Sequence, residues 1–126
     1  MGTGPDMSLI FVYGTLKRHG SNHRFLAGQQ FVGEARTVPG YILYSLGDYP
    51  GMVRSSDPAH FVTGEVWQVD PAGVVKLDQL EGTTEGLYER VGIRLDPPFV
   101  DQSVETYLYL RDLSGRSLLG KTWPIA

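Results

Sequence analysis

Short apolar runs along this chain are separated by breaks rich in Gly, Pro and Asp, and the apolar positions seldom recur at helical spacing. The run Leu9-Ile10-Phe11-Val12-Tyr13 is continuous and β-prone, the pattern of a strand covered on both faces. It stops at Gly14-Thr15-Leu16. A polar stretch, Lys17-Arg18-His19-Gly20-Ser21-Asn22-His23-Arg24, precedes a short apolar piece at Phe25 and Leu26. Further strands are predicted over Gln30 to Thr37, Tyr41 to Leu46, Met52 to Arg54 and Phe61 to Val69, each bounded by turn-forming residues.

One segment follows a different period. Asp70 suits an N-cap, Pro71 the first helical position and Gly82 the stop. Between them Val74, Leu77 and Leu80 recur three apart and form one apolar stripe. Two strands follow the helix. The first runs from Leu87 to Leu95, with Leu87, Val91, Ile93 and Leu95 on one face, and ends at Asp96-Pro97-Pro98. The second is Val104 to Leu110. The tail from Arg111 through Trp123-Pro124-Ile125 is expected to be irregular and to lie over the body, and residues 1–7 read as a loose leader. No internal repeat or linker divides the chain. The expected fold is α+β and mainly β, a single domain over 1–126 built as a small mixed β-barrel with few short helices.

Composition sharpens this picture. Gly 16 and Pro 8 make 24 of 126 residues, above the roughly 12% of average usage, so the chain turns often. Hydrophobic residues are 41% and charged residues 20%, a globular balance. There are no cysteines, which excludes thiol nucleophiles and thiolate metal sites. No run of 18 apolar residues offers a membrane span, and Met1 to Ser8 lacks the basic start and apolar stretch of a signal peptide. A cytoplasmic setting is therefore expected. The net charge of −3 argues against nucleic acid as the main partner.

Three groups of residues could carry chemistry. Tyr13-Gly14-Thr15-Leu16 ends a buried strand in a glycine turn, which can bare successive backbone N–H groups as a nest for a carboxylate. The same residues also suit a plain tight turn in which Gly14 serves only its dihedral freedom. Glu81 stands at the helix C-terminus, where the macrodipole disfavours negative charge by about 0.3–1 kcal/mol. That would push its pKa up toward the range of a general base, and Asp78, three residues earlier, would add to the effect if both were desolvated. Taken alone, Glu81 reads first as a solvated last-turn glutamate, since such glutamates are common. Lys17, Arg18, His19, His23 and Arg24 form a basic loop, read as exposed and able to attract an anionic substrate. His19 and His23 stand four apart across Gly20-Ser21-Asn22, which speaks for a loop and not for a metal-binding helix. Tyr88 and Arg90 share a strand face soon after Glu81. Tyr88, and Arg18 from the basic loop, are the candidate substrate-lining side chains. No Gly-x-Ser-x-Gly elbow is present.

In order and spacing these segments resemble the γ-glutamylcyclotransferase-like family, in particular its small γ-glutamylamine cyclotransferase branch and bacterial relatives. The resemblance rests on Val12-Tyr13-Gly14-Thr15-Leu16-Lys17-Arg18, Asn22-His23, Tyr49-Pro50-Gly51 and Gly64-Glu65-Val66-Trp67. It continues through Leu77-Asp78, Leu80-Glu81-Gly82 and Tyr88-Glu89-Arg90. It implies a small mixed β-barrel whose site joins a substrate-binding loop, matched by Tyr13, Gly14, Thr15 and Leu16, to an acid/base glutamate, matched by Glu81. The implied reaction is an intramolecular acyl transfer. The α-amine of a γ-glutamyl amine, amino acid or peptide attacks its own γ-carbonyl, giving 5-oxoproline and a free amine. Such chemistry brings its own nucleophile, so no metal or organic cofactor is expected. The partner implied is a small γ-glutamyl molecule. A non-catalytic module of the same fold, binding a small carboxylate, is the alternative; it has no need of a high-pKa glutamate beside the nest. Ser45 to Gly51 is short for a leaving-group pocket, and Gly82-Thr83-Thr84-Glu85-Gly86 reads as a candidate flap.

Overall fold

The computed structural model describes residues 6–124, so Met1 to Pro5 of the expected leader, and Ile125 of the tail, lie outside the described residues. Asp6 is exposed and Met7 half-buried, and regular structure begins one residue later. Eight strands and one α-helix follow: β1 (Ser8–Val12), β2 (Gln30–Arg36), β3 (Tyr41–Ser45), β4 (Pro50–Arg54), β5 (Thr63–Val69), α1 (Pro71–Leu80), β6 (Tyr88–Ile93), β7 (Val104–Tyr109) and β8 (Ser117–Gly120). Short 3-10 turns occupy His23–Leu26 and Thr83–Glu85.

The chain is α+β and mainly β, but its strands form two sheets and not a closed barrel. Five strands run in the order β2-β5-β1-β7-β6, and three in the order β4-β3-β8. β1 lies at the centre of the larger sheet, antiparallel to β5 and parallel to β7. The edges β2 and β6 approach each other only just past their ends. There Thr37 bridges Leu95, and the N–H of Val38 donates to Arg94 O at 3.1 Å. The smaller sheet packs on the larger: Gly51 of β4 lies so near Tyr109 of β7 that an added Cβ would stand 2.9 Å from the Cβ and Cγ of that tyrosine.

The apolar run predicted to be covered on both faces is so covered. Ile10 and Val12 pack toward α1 with Val74 and Leu77, while Phe11 and Tyr13 pack toward the smaller sheet with Leu43 and Met52. The helix forms where its caps predicted. The Asp70 carboxylate accepts from Gly73 N–H at 2.7 Å, Pro71 opens the helix, and Gly82, at φ 64°, ends it in the left-handed region. Val91, Ile93 and Leu95 share the second core as expected, whereas Leu87 packs with the first, because regular pairing starts only at Tyr88.

The tail departs from expectation. It does lie over the body, with Trp123 against the second core, but it is not irregular, since Ser117–Gly120 pairs antiparallel with β3 as an edge strand. Pro50 likewise belongs to a strand, at the first position of an edge where no ladder N–H is required.

Close approach of backbone to backbone sets one testable limit. At Gly64, in β5, an added Cβ would stand 2.3 Å from the Val12 carbonyl oxygen. Gly64→Ala is expected to destabilise the fold by about 2 kcal/mol or more, the scale of overpacking a core. Gly92→Ala, in β6 with nothing within 4 Å, is expected to be neutral or slightly stabilising. Urea midpoints of the two variants would check the contrast.

Candidate active site

A cavity of about 220 Å³ opens where β1, α1 and the β3–β4 hairpin converge. That is smaller than the roughly 300–1,000 Å³ that drug-sized ligands occupy, a size for an amino-acid-scale group. The end of β1 and the turn after it supply Val12, Tyr13, Gly14, Thr15 and Leu16, and the hairpin supplies Tyr49 and Pro50. Leu80 and Glu81 come from the end of the helix, and Tyr88 and Tyr107 from β6 and β7. Glu81 and the candidate nest thus share one cavity.

The turn Gly14–Leu16 is held by its neighbours and not by its own amides. Lys17 N–H donates to Gly14 O at 3.1 Å, Asn22 N–H to Thr15 O at 2.9 Å, and Asn22 Nδ2 to Thr15 Oγ1 at 3.0 Å. His23 Nδ1 lies 2.9 Å from Leu16 O. Among the described residues, no protein acceptor takes the N–H groups of Gly14, Thr15 or Leu16. Three successive amides without a protein acceptor, in residues that line a cavity, are the donors an anion nest requires. Gly14 is required for a reason its dihedral freedom does not supply: its φ is not positive, and a Cβ there would meet the Pro50 ring at 2.7 Å.

Glu81 caps the helix, its N–H donating to Leu77 O at 2.9 Å. Among the described residues its carboxylate has neither a hydrogen-bond donor nor an ion-pair partner. The side chain is crowded by protein while part of the residue still meets solvent. Burial raises its pKa from the ordinary carboxylate value to about 7. Asp78 does not contribute as the sequence suggested. Its carboxylate is drawn into an ion pair with Arg90 at 3.0 Å and accepts the Tyr107 hydroxyl at 2.7 Å, so its charge is already compensated. Arg90, bridging Asp78 and Glu105, clamps the helix to the sheet and does not line the cavity.

The tyrosines around Glu81 are neutral donors. Tyr13 Oη donates to Tyr107 O at 2.6 Å and accepts from Met52 N–H at 3.3 Å. Burial raises its pKa well above the phenol range, and the Glu81 charge adds to this. Tyr88 Oη donates to Pro50 O at 2.6 Å, and burial moves its pKa, like that of Tyr107, upward as well.

The basic loop is less open than its sequence suggests. Lys17 is buried, its ammonium donating to Trp123 O at 2.8 Å, and burial lowers its pKa against the pull of Glu65. Arg18 faces away from the cavity, paired with Glu65 at 3.0 Å and stacked 3.9 Å over the Phe31 ring, so it is not a lining residue. Arg24 turns back onto Ser21 O. Among the described residues, no Lys, Arg or His side chain lines the cavity. The candidate flap is a short 3-10 turn between two left-handed glycines, and Arg111 donates to Glu85 O and Gly86 O to tie it down. Sequence reasoning gave no role to Asn22, Tyr49, Pro50 or Tyr107. The first three stood in the matching segments, while Tyr107 is one aromatic among several in β7 and carries no distinguishing signal.

Comparison with known proteins places the chain. Residues 10–124 match the family described as "Gamma-glutamyl cyclotransferase, AIG2-like", and the chain belongs to that family. The gamma-glutamylcyclotransferase family protein YtfP of Escherichia coli K12 is 36% identical over 110 residues, covering 87% of this chain and 89% of that one. The solution structure of E. coli ytfP superposes with a TM-score of 0.67 over 90% of this chain and 92% of its own. A Vibrio cholerae protein is 47% identical over 73 residues, a stretch spanning 58% of this chain and 61% of that protein. The crystal structure of a mouse aig2-like protein is 29% identical, with a TM-score of 0.68 over 83% of this chain and 77% of its own.

The unpaired carboxylate has a thermodynamic signature. Because the folded-state pKa of Glu81 is raised, the native state holds a proton that the unfolded chain releases near pH 4.5. Stability attached to this group is complete below that pH and is lost as pH rises through about 7. Glu81→Gln removes the ionisation. The variant is expected to match wild type at pH 4 and to exceed it at pH 8 by on the order of 2 kcal/mol, read as a Tm higher by several degrees in paired thermal melts.

Proposed function

We propose that this protein is a cofactor-independent γ-glutamyl cyclotransferase, forming 5-oxoproline and releasing an amine. The observation that carries the reading is the pairing, within one small cavity, of an unpartnered carboxylate of raised pKa with three unpartnered backbone amides. Membership of the family supports the class of reaction, and the residues supply its steps.

The substrate's α-carboxylate sits on the N–H groups of Gly14, Thr15 and Leu16. Among the described residues no cationic side chain lines the cavity, so the backbone dipoles do this work. Held there, the glutamyl chain folds so that its α-amine faces its own γ-carbonyl. Intramolecular attack in a well-aligned pair accounts for roughly 7–11 kcal/mol of barrier reduction. A free α-amine has a pKa of about 8 and is largely protonated at neutral pH, so it first loses one proton to solvent to become the neutral nucleophile. As its nitrogen–carbonyl bond forms, the nitrogen becomes acidic and Glu81, poised near 7, takes a second proton from it. The tetrahedral intermediate then collapses, the bond to the leaving amine breaks, and Glu81 returns the proton to that nitrogen. The neutral phenols of Tyr13 and Tyr88 keep the wall uncharged, so the one negative group in the cavity is the base.

Release of 5-oxoproline from a panel of γ-glutamyl amines, amino acids and peptides tests this reading. At least one member is expected to turn over. Glu81→Gln should lower kcat by about 10²–10⁴-fold, the usual worth of general acid–base catalysis. For wild type, kcat/KM should rise through pH 7 as Glu81 ionises, and rise further toward pH 8 as the α-ammonium gives up its proton and becomes the neutral nucleophile. Turnover indifferent to Glu81→Gln would overturn the mechanism. No turnover by a protein that still binds 5-oxoproline would assign the cavity to carboxylate binding alone.

A further inference from the structure

Glu65 is a buried charge that the proposed chemistry does not use. It is 7% exposed, in the middle of the larger sheet, where it pairs in register with Val12 at the end of β1. Its carboxylate is fully engaged. Oε1 accepts from Arg18 N–H at 3.0 Å and from Trp67 Nε1 at 3.1 Å, and Oε2 accepts from Arg18 Nε at 3.0 Å. Burial alone would raise the pKa of this acid, but the hydrogen bonds from Arg18 and Trp67, with the guanidinium charge, bring it below the ordinary value.

The geometry of these contacts is informative. Arg18 N–H stands two residues beyond the last free amide of the turn and donates to Glu65, and neither residue lines the cavity. Trp67, fixed by the same carboxylate, stacks edge-on to His23 at 5.2 Å, and His23 in turn contacts Leu16 O. The Leu16 end of the free-amide run is therefore tied to β5 twice, directly through Arg18 and indirectly through Trp67 and His23, with Glu65 holding both. The Arg18 charge also matters, because an unneutralised Glu65 would repel an anion held by the neighbouring amides.

We propose that Glu65 and Arg18 are positioning residues for the turn Gly14–Leu16, touching no substrate themselves but anchoring its Leu16 end so that its amides keep carboxylate-binding spacing. This rests on reading that turn as the carboxylate site. It gives the Gly64-Glu65-Val66-Trp67 segment a task distinct from the proton transfer at Glu81.

Amide spectra of the ¹⁵N-labelled protein, titrated with 5-oxo-L-proline, test the proposal without requiring turnover. In wild type the Gly14, Thr15 and Leu16 amides should shift saturably. Glu65→Gln, which keeps an acceptor but loses the ion pair, and Arg18→Met should each weaken that binding about tenfold. Arg18→Lys should restore much of the loss. Glu34→Gln, which removes the exposed 3.5 Å contact of Arg18, should leave binding unchanged. With a turned-over substrate, the first two variants should raise KM far more than they lower kcat, a split that general loosening of the fold would not produce. Unaltered affinity in folded Glu65→Gln and Arg18→Met, or no shift of the three amides in wild type, would overturn the proposal. Intact binding with no turnover would instead count against cyclisation at Glu81 and leave this inference standing.

Discussion

β1 is the strand to which the other parts of the site are referred. It is hydrogen-bonded along both edges, to β5 and to β7, and covered on both faces by different cores. Ile10, Phe11, Val66 and Val69 are fully removed from solvent around it. Burying one such side chain is worth about 1.5–3 kcal/mol, so the strand cannot shift without large loss. Where its ladder stops, the chain leaves the sheet with its amides unclaimed, and the cavity begins. A rigid strand leads into the turn, and contacts from Lys17, Asn22 and His23 to its oxygens fix its shape while leaving its amides free.

The second element of the site is a cost and not a gain. An unpaired carboxylate at a helix end, pressed by apolar and phenolic neighbours, works against folding at neutral pH. Two other acids show what relief would look like. Asp78, one turn earlier, has an arginine and a tyrosine hydroxyl. Glu65, in β5, has an arginine, a backbone amide and an indole. Of these three acids, two are satisfied and Glu81 is not. Cores usually eliminate such a group, and groups like it concentrate where proton chemistry happens.

Much of this was legible in the sequence, and the misses have physical causes. Local rules located α1, since Asp70, Pro71 and Gly82 act within a turn of themselves. The continuous run of β1 announced its two-sided burial. The order of matching segments identified the family, and with it Glu81 and the Gly14 turn as candidates. What failed was long-range. Arg18 was read as lining the site because its partner, Glu65, lies 47 residues away and no local pattern connects them. Asp78 was read as a repulsive neighbour of Glu81 because Arg90, twelve residues on, was not known to reach it. β8 is a four-residue, largely exposed edge strand whose alternation is too short to see. The barrel was expected because strand count does not reveal whether two edges meet by hydrogen bonds.

The β3–β4 hairpin carries a consequence for how relatives can diverge. Its base is immobile, with Pro50 against Gly14 and its carbonyl held by Tyr88. Its tip, Gly47 and Asp48, is exposed, with nothing near Gly47, and the exposed ring of Tyr49 lies between the two. Residues inserted at the tip would lengthen the rim beside Tyr49 without disturbing the proline that shapes the cavity floor. The architecture separates a fixed floor from a rim whose height is set by loop length alone.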